Sequence, residues 1–122
     1  MNREELGLEL VHVGINQENP EEALRTVKLL GELFGFPCRE TPGSWFVNDQ
    51  FEVMKEPFLG RHGHIAIAAR NTQAAYEYFK SRGVAFAEET AVRFPDGSLN
   101  VIYFRDEIGG FAFHLVQKKA EA

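Results

Sequence analysis

The hydrophobic pattern of the chain occurs twice. Residues 8–16 and residues 64–68 each alternate between inward and outward side chains, which predicts two half-buried strands. A stretch with helical spacing follows each strand and ends at LFGF in the first copy and at SRGV in the second. Short strand-like runs come after each helix. The pattern predicts an α+β domain built from two βαβββ modules in a pseudo-twofold arrangement.

Turn and capping residues set the expected element boundaries. Asn19 suits the N-cap of the first helix, Pro20 its first turn and Gly35 its end. Asn71 or Thr72 suits the start of the second helix, which should end near residue 83. The apolar stripes are predicted at Leu24, Val27, Leu30 and Phe34 in the first helix and at Ala75, Tyr78 and Phe79 in the second. The remaining strands are predicted in FPCRE, GSWFVN, FEVMK, VAFAEE, SLNVIYF and GGFAFHLVQ, with a long connection over residues 88–98.

The length of 122 residues fits a single domain. We expect module one over about residues 6–58 and module two over about residues 59–118, with a frayed tail over residues 118–122. No apolar run approaches the ~20 residues of a membrane helix, and the N-terminus has no signal-peptide pattern. These features predict a cytoplasmic protein without a membrane partner.

Composition narrows the classes of partner. The net charge of −5 argues against nucleic acid, whose phosphates require a basic surface. A small anionic metabolite remains compatible with it. Eleven Phe residues predict an aromatic core or an aromatic-lined pocket. Cys38, the single cysteine, excludes an internal disulfide and is expected to be a buried small hydrophobic residue.

Strand alternation places candidate metal ligands on one face. If the β-branched side chains of the first and fifth strands face the helices, the opposite face carries Leu10, His12, Gly14, Asn16, His64, Ala66 and Ala68. Glu52 joins that face from FEVMK. Two imidazoles and a carboxylate form a good site for a divalent metal. The alternatives are packed strand histidines, with Glu52 as a surface carboxylate or a catalytic base, and a solvent-facing His62.

The segments HVGI, LFGF, HIAI, RGV and YFRDEIGGFAFHL resemble the glyoxalase superfamily, also called vicinal oxygen chelate, over essentially the whole chain. The resemblance implies a curved mixed sheet with a concave cleft. It also implies metal ligands from the first and last strand of each module, and His12, Glu52 and His64 match three of these four places.

The fourth ligand place differs from the pattern of the superfamily. The superfamily motif is Asp-Pro-Asp-Gly-Asn, then two further residues, then a Glu ligand; with Asp106, Gly109 and Gly110 in frame, that Glu aligns with Phe113. His114 comes one residue later and, by alternation, should face the helices. Only a bulge at Gly109-Gly110 would turn it into the cleft.

A narrower resemblance concerns FEVMKEPFLGRHGHIAI and DEIGGFAFHLVQKK. They are similar to the glyoxalase-type module attached to some bacterial aldolases for 2-keto-3-deoxy-6-phosphogluconate and 4-hydroxy-2-oxoglutarate. The resemblance implies an accessory role, association with an aldolase and an oxo-acid or sugar-acid ligand. The aldolase barrel needs ~200 residues or more, so no lysine here inherits its Schiff-base role.

Three functions fit these observations. The first is a module that binds a small anionic metabolite, with Tyr103, Arg105, Arg61 and Phe113 as substrate-binding residues. The second is a metal-dependent lyase or isomerase of the glyoxalase I type, or a dioxygenase, with Zn, Ni, Mn or Fe as the metal and Glu52 as the catalytic residue. The third is a homodimerisation module that uses the first strand and residues 43–55. No Gly-rich phosphate loop is present, so no nucleotide cofactor is expected.

Overall fold

The computed structural model describes residues 2–119 and contains eight strands and two α-helices within them. A 3-10 helix over Arg3–Leu6 precedes the first module. That module comprises β1 (Glu9–Ile15), α1 (Pro20–Phe34), β2 (Cys38–Glu40), β3 (Ser44–Val47) and β4 (Phe51–Met54). The second comprises β5 (Gly63–Ala69), α2 (Thr72–Ser81), β6 (Phe86–Arg93), β7 (Leu99–Phe104) and β8 (Phe111–Gln117). The two predicted βαβββ modules are confirmed.

All eight strands form one mixed sheet in the order β2-β3-β4-β1-β5-β8-β7-β6. The modules meet where β1 pairs antiparallel with β5, and each first strand also pairs parallel with the last strand of its own module. If each strand is replaced by its equivalent in the other module, the same strand order is obtained when it is read from the opposite edge of the sheet. The predicted pseudo-twofold arrangement requires this symmetry. Both helices cover one face of the sheet, and the other face forms the cleft.

Helix α1 begins and ends at its predicted caps. The Asn19 side chain accepts a hydrogen bond from the Glu22 backbone N–H, and Gly35 adopts a left-handed φ of 69° at the C-terminus. The helix buries Ala23 and Val27 against the sheet. The predicted apolar stripe is wrong at its edges, because Leu24 and Phe34 are exposed. Leu24 lies at the border of the helix face that carries the buried Ala23 and Val27, and Phe34 is the last residue of the helix.

The core of the second module includes a residue from the N-terminus of the chain. Tyr76 from α2 packs with Ile102 and Leu115 from the sheet, and Leu6 from the 3-10 helix joins them. The Arg70 backbone N–H donates to the Leu6 carbonyl at 2.9 Å. The segment before the first module is therefore part of the packing of the second.

Strand β6 is longer than predicted. It continues to Arg93, so most of the connection predicted over residues 88–98 is strand. Its pairing with β7 is irregular between Ala87 and Val92, where Thr90 Oγ1 accepts the Tyr103 backbone N–H at 2.9 Å. The same hydroxyl donates to the Ala87 carbonyl at 2.6 Å. A side chain thus replaces a ladder hydrogen bond and holds Tyr103 in register.

Two local predictions are wrong. Cys38 is exposed, not buried. Lys118 is ordered against the sheet, because its backbone N–H donates to the Ala69 carbonyl and its Nζ lies 2.9 Å from Glu9 Oε2. The rest of the predicted tail, residues 120–122, lies outside the described residues. Within residues 2–119 neither helix has the length and apolar character needed to cross a bilayer.

Candidate metal site

A bulge in β1 decides which of its side chains reach the cleft. His12 pairs with Ala66 and Gly14 pairs with His64, but the register shifts between Leu10 and His12. Beyond the shift Leu10 pairs with Ile67, which faces the helices. The prediction that Leu10 shares the cleft face with His12 is therefore wrong, since the extra residue inverts the alternation.

Gly14 makes room for the His64 imidazole. A Cβ on Gly14 would lie 2.1 Å from His64 Cε1 and 2.2 Å from Nδ1, far inside van der Waals contact. The imidazole therefore lies directly over the backbone of β1, and only 3% of the His64 side chain is exposed. The HVGI segment of the first module thus shapes the position of the histidine in the second.

The structure brings His12, Glu52 and His64 together. The two Nε2 atoms are 3.2 Å apart, and Glu52 Oε1 lies 3.0 Å from His64 Nε2 and 3.4 Å from His12 Nε2. Ligand atoms bound at ~2.0–2.2 Å to one ion lie about 3.0–3.5 Å apart at ordinary coordination angles. The three atoms therefore have the spacing of one face of a metal coordination shell.

His114 belongs to the same cluster, contrary to the prediction that it faces the helices. β5 and β8 pair in parallel with Ala66 opposite His114, so His114 lies on the face of His64. The His114 ring centroid is 6.0 Å from that of His12 and 5.7 Å from that of His64. One ligand nitrogen from each of the three histidines lies within 4.8 Å of the others. The cleft thus contains three imidazoles and one carboxylate.

No bulge in β8 is needed for this direction. Gly109 and Gly110 both have positive φ and form a two-residue turn between Ile108 and Phe111, which exchange two backbone hydrogen bonds. The pairing of β8 with β5 then runs without interruption. Phe113 pairs with Ile65 on the helix face, so its predicted place in the substrate site is wrong.

The protonation states favour metal ligation. Burial raises the pKa of the Glu52 carboxyl, but hydrogen bonds with His12, His64 and Ser44 outweigh it and hold the pKa well below its usual range. Burial lowers the pKa of His114 to about 4, so its imidazole is neutral at pH 7. His114 Nδ1 donates to the Leu115 carbonyl at 3.2 Å, which leaves a lone pair on Nε2.

The outer contacts of the histidines differ. A backbone carbonyl fixes the tautomer of His114, which is the usual arrangement around a metal-bound histidine. His64 Nδ1 is buried, and among the described residues it has no hydrogen-bond partner. The hydrogen bonds that hold the His64 ring therefore lie on its Nε2 side, towards Glu52 and His12.

Aromatic side chains surround the cluster. The Tyr103 ring lies 4.7 Å from that of His114, and burial together with the charge of Glu52 raises the pKa of Tyr103 to about 12. Tyr103 is therefore a hydrogen-bond donor at neutral pH. The Phe58 and His64 rings pack edge to face, with their centroids 6.1 Å apart. The Asn16 side chain holds the loop of Phe58 through hydrogen bonds with the Phe58 backbone N–H and carbonyl.

The predicted arginines lie farther out. Arg105 is exposed and lines a cavity of about 220 Å³ that Tyr103 also lines, next to the cluster. Arg61 and His62 are exposed and lie beside Gly110, at the start of β8. Arg105 is thus the better placed of the two arginines to meet a ligand in the cleft.

Sequence reasoning missed Ser44. Its Oγ donates to Glu52 Oε2 at 2.7 Å, and the residue is 1% exposed. The signal was a serine at the start of a strand, two residues from Phe46 on the cleft face. Only the pairing of β3 with β4 reveals that it meets Glu52.

Comparison with solved structures identifies the fold. One similar structure is that of a hypothetical protein from Bacillus halodurans C-125. The match covers 94% of this chain and 97% of that protein, with 20% sequence identity and a TM-score of 0.62. A second is that of a methylmalonyl-CoA epimerase variant from Streptomyces coelicolor in complex with 2-nitronate-propionyl-CoA. That match covers 92% of this chain and 98% of the epimerase chain, with 16% sequence identity and a TM-score of 0.62. The chain has the glyoxalase fold. The epimerase of Mycobacterium tuberculosis also shares it, over 91% of this chain and 88% of its own, with 18% identity and a TM-score of 0.62.

Sequence comparisons add nothing further: no protein-family model matches the chain, and no curated protein does. Within the glyoxalase fold of this chain, the clustered side chains come from the first and last strand of each module. These side chains are His12 on β1, Glu52 on β4, His64 on β5 and His114 on β8.

Proposed function

We propose that this protein binds one divalent transition-metal ion in the cleft and acts there on a small oxo-acid or sugar acid, as a lyase or isomerase. The convergence of four side chains from four strands carries this proposal. They are His12, Glu52, His64 and His114. Imidazoles also occur in packed cores, but three imidazoles beside an ionised carboxylate, with His12, Glu52 and His64 at ligand spacing, fit a metal better than a packed core.

The donor set narrows the choice of metal. Imidazole nitrogens suit Zn, Ni and Fe, whereas Mg, Ca and Mn prefer oxygen ligands. His114 adds a third nitrogen where the superfamily pattern has a second carboxylate. We therefore infer that Zn, Ni or Fe occupies the site in preference to Mn.

Charge and hydrogen bonding indicate the ligand class. A divalent ion would supply Lewis-acid polarisation of a ligand carbonyl. Glu52 is the single charged member of the donor set, which leaves a divalent centre with a net positive charge that attracts an anionic oxo-acid. Tyr103 can donate its O–H to a ligand oxygen, and Arg105 can meet a carboxylate from the adjacent cavity.

Glu52 is better suited to hold a metal than to remove a proton. A general base works best with a pKa near the working pH, and the pKa of Glu52 is well below its usual range. Both of its oxygens also accept hydrogen bonds. We therefore assign Glu52 to metal ligation and not to its predicted role as the catalytic residue.

The same observation favours a second candidate, binding without turnover. If no protein base acts in the cleft, the site can hold an oxo-acid or sugar acid for a partner enzyme. The sequence resemblance to modules attached to bacterial aldolases supports an accessory role of this kind. Homodimerisation remains a separate proposal, and exposed Leu10 and Val11 on β1 are compatible with it.

Calorimetric titration of the metal-loaded protein with 2-oxo-acids and sugar acids tests the ligand class. We expect at least one to bind, with affinity lost when the metal is removed. In Tyr103→Phe, which loses only the hydroxyl, affinity should fall about 10-fold, the worth of one hydrogen bond to a charged oxygen.

The controls separate the two candidates. Mixing the metal-loaded protein with the ligand that binds, followed by product analysis, distinguishes turnover from storage. Absence of heat with every acid, on protein that demonstrably carries metal, would contradict the proposed ligand class.

A further inference from the structure

We propose that the hydroxyl pair of Thr41 and Ser44 is a positioning device that presents one oxygen of Glu52, and only one, to the metal site. The inference rests on the proposed metal site, and it assigns a role to residues that do not touch the metal. The pair lies at the ends of the TPGS segment that joins β2 to β3.

The contacts of Glu52 divide cleanly between its two oxygens. Oε1 faces both His12 and His64, at 3.4 and 3.0 Å, whereas Oε2 accepts the Ser44 hydroxyl at 2.7 Å. A carboxylate with both oxygens free can rotate or bind an ion through both. The hydrogen bond from Ser44 occupies Oε2, so that only Oε1 is free to bind an ion.

Thr41 fixes the direction of the Ser44 hydroxyl. The Ser44 backbone N–H donates to Thr41 Oγ1 at 3.0 Å, and the two hydroxyl oxygens are 2.8 Å apart. An ionised carboxylate only accepts, so the Ser44 proton goes to Glu52, and the Thr41 hydroxyl donates to the Ser44 carbonyl at 3.1 Å or to Ser44 Oγ. Contacts with Thr41 thus hold both the backbone and the side chain of Ser44, while the Ser44 hydroxyl donates to the carboxylate.

The device is rigid as well as directional. Ser44 is 1% exposed, and the Thr41 backbone N–H donates to the Ser44 carbonyl at 2.8 Å across the Pro42-Gly43 turn. On the other side, β3 and β4 pair with Ser44 opposite Met54 and Phe46 opposite Glu52. The serine and the carboxylate are therefore held by the same pair of strands. Such outer hydrogen bonds commonly change metal affinity 10- to 100-fold when removed.

Cobalt titration of four purified variants tests the proposal, with Co²⁺ as the probe and its visible absorption as the readout. In Ser44→Ala we expect the affinity for Co²⁺ to fall at least about 10-fold and the absorption bands to shift, because the carboxylate is released. Thr41→Val should have a smaller effect in the same direction. Thr41→Ser, which keeps the hydroxyl, should match the wild type.

Thr26→Val is the matched control. It removes a hydroxyl that donates to Gln17 Oε1 at 2.8 Å, on α1 and therefore on the helix-bearing face of the sheet. A loss of stability alone would leave its cobalt spectrum unchanged. An unchanged spectrum and affinity in Ser44→Ala would overturn the positioning role.

A metal-free measurement keeps this inference separate from the metal site itself. Crystal structures of the metal-free wild type, Ser44→Ala and Thr26→Val would show whether Glu52 rotates away from His64 in Ser44→Ala alone. If the wild type binds no Co²⁺, the proposed function fails. The positioning role is then supported by a displaced Glu52 in Ser44→Ala and overturned by an unmoved one.

Discussion

Replacing Gly14 with alanine should severely weaken metal binding although Gly14 offers no ligand atom. The new Cβ would lie 2.1 Å from His64 Cε1, a distance that no side chain tolerates. The His64 imidazole must then move off β1, or β1 and β5 must separate. We expect metal affinity to fall at least 100-fold and stability to fall by about 1–3 kcal/mol, the usual cost of overpacking.

Gly31→Ala is the matched control for this variant. The nearest atom to its Cβ would be Cys38 Sγ at 3.6 Å, an ordinary contact, and Gly31 lies inside α1. Alanine is favoured over glycine there by up to about 1 kcal/mol. Thermal unfolding and competition with a chromophoric chelator would measure both effects. Wild-type affinity in Gly14→Ala would show that His64 does not hold the metal in the position described.

Replacing Glu52 with glutamine should reduce metal affinity about 100-fold or more. The amide keeps the shape of the side chain but removes the single negative charge of the donor set, and it is a poorer ligand for Zn, Ni and Fe. The loss would correspond to about 2.7 kcal/mol or more of binding free energy. The chelator competition used for Gly14→Ala measures it.

Glu40→Gln provides the comparison for Glu52→Gln. Glu40 pairs with Lys55 at 2.6 Å but has a side chain that is 54% exposed, so its ion pair contributes little. Its metal affinity should equal that of the wild type. Equal affinities in Glu52→Gln and Glu40→Gln would remove the carboxylate from the ligand set and leave a site of histidines alone.

The architecture was predictable because the repeat, the caps and the strand periods all agree. Asn19 caps the first helix as predicted, and of the two predicted candidates for the second helix, Asn71 and Thr72, it is Asn71 that accepts the hydrogen bond from the first turn. The repeat also placed His12 and His64 at equivalent positions, and the shared face followed from alternation. Local signals of this kind survive folding because the tertiary structure reinforces them.

The direction of His114 is predictable from the alternation of side chains within β8. In FAFHLVQ the bulky side chains Phe111, Phe113 and Leu115 share one face, and Leu115 lies in the core beneath α2. Their alternation alone indicates the helix face and turns His114 into the cleft. Alignment to a superfamily motif instead assigned the cleft position to Phe113.

Other features depend on pairings that no local pattern reveals. The bulge near Leu10 and the irregular pairing around Thr90 arise where two strands differ in register. The contact between Ser44 and Glu52 joins two neighbouring strands, and Leu6 joins the core of a module that begins far along the chain. These details require the three-dimensional arrangement of both modules.

Metal content tests the central claim most directly. Plasma mass spectrometry of the native wild type, and of samples exposed to Zn²⁺, Ni²⁺, Fe²⁺ and Mn²⁺, should find about one equivalent of a transition metal per chain. The His12→Ala, His64→Ala double variant should hold none, because it loses two of the three imidazoles. Metal-free protein in every wild-type sample, or equal metal in the double variant, would contradict the account.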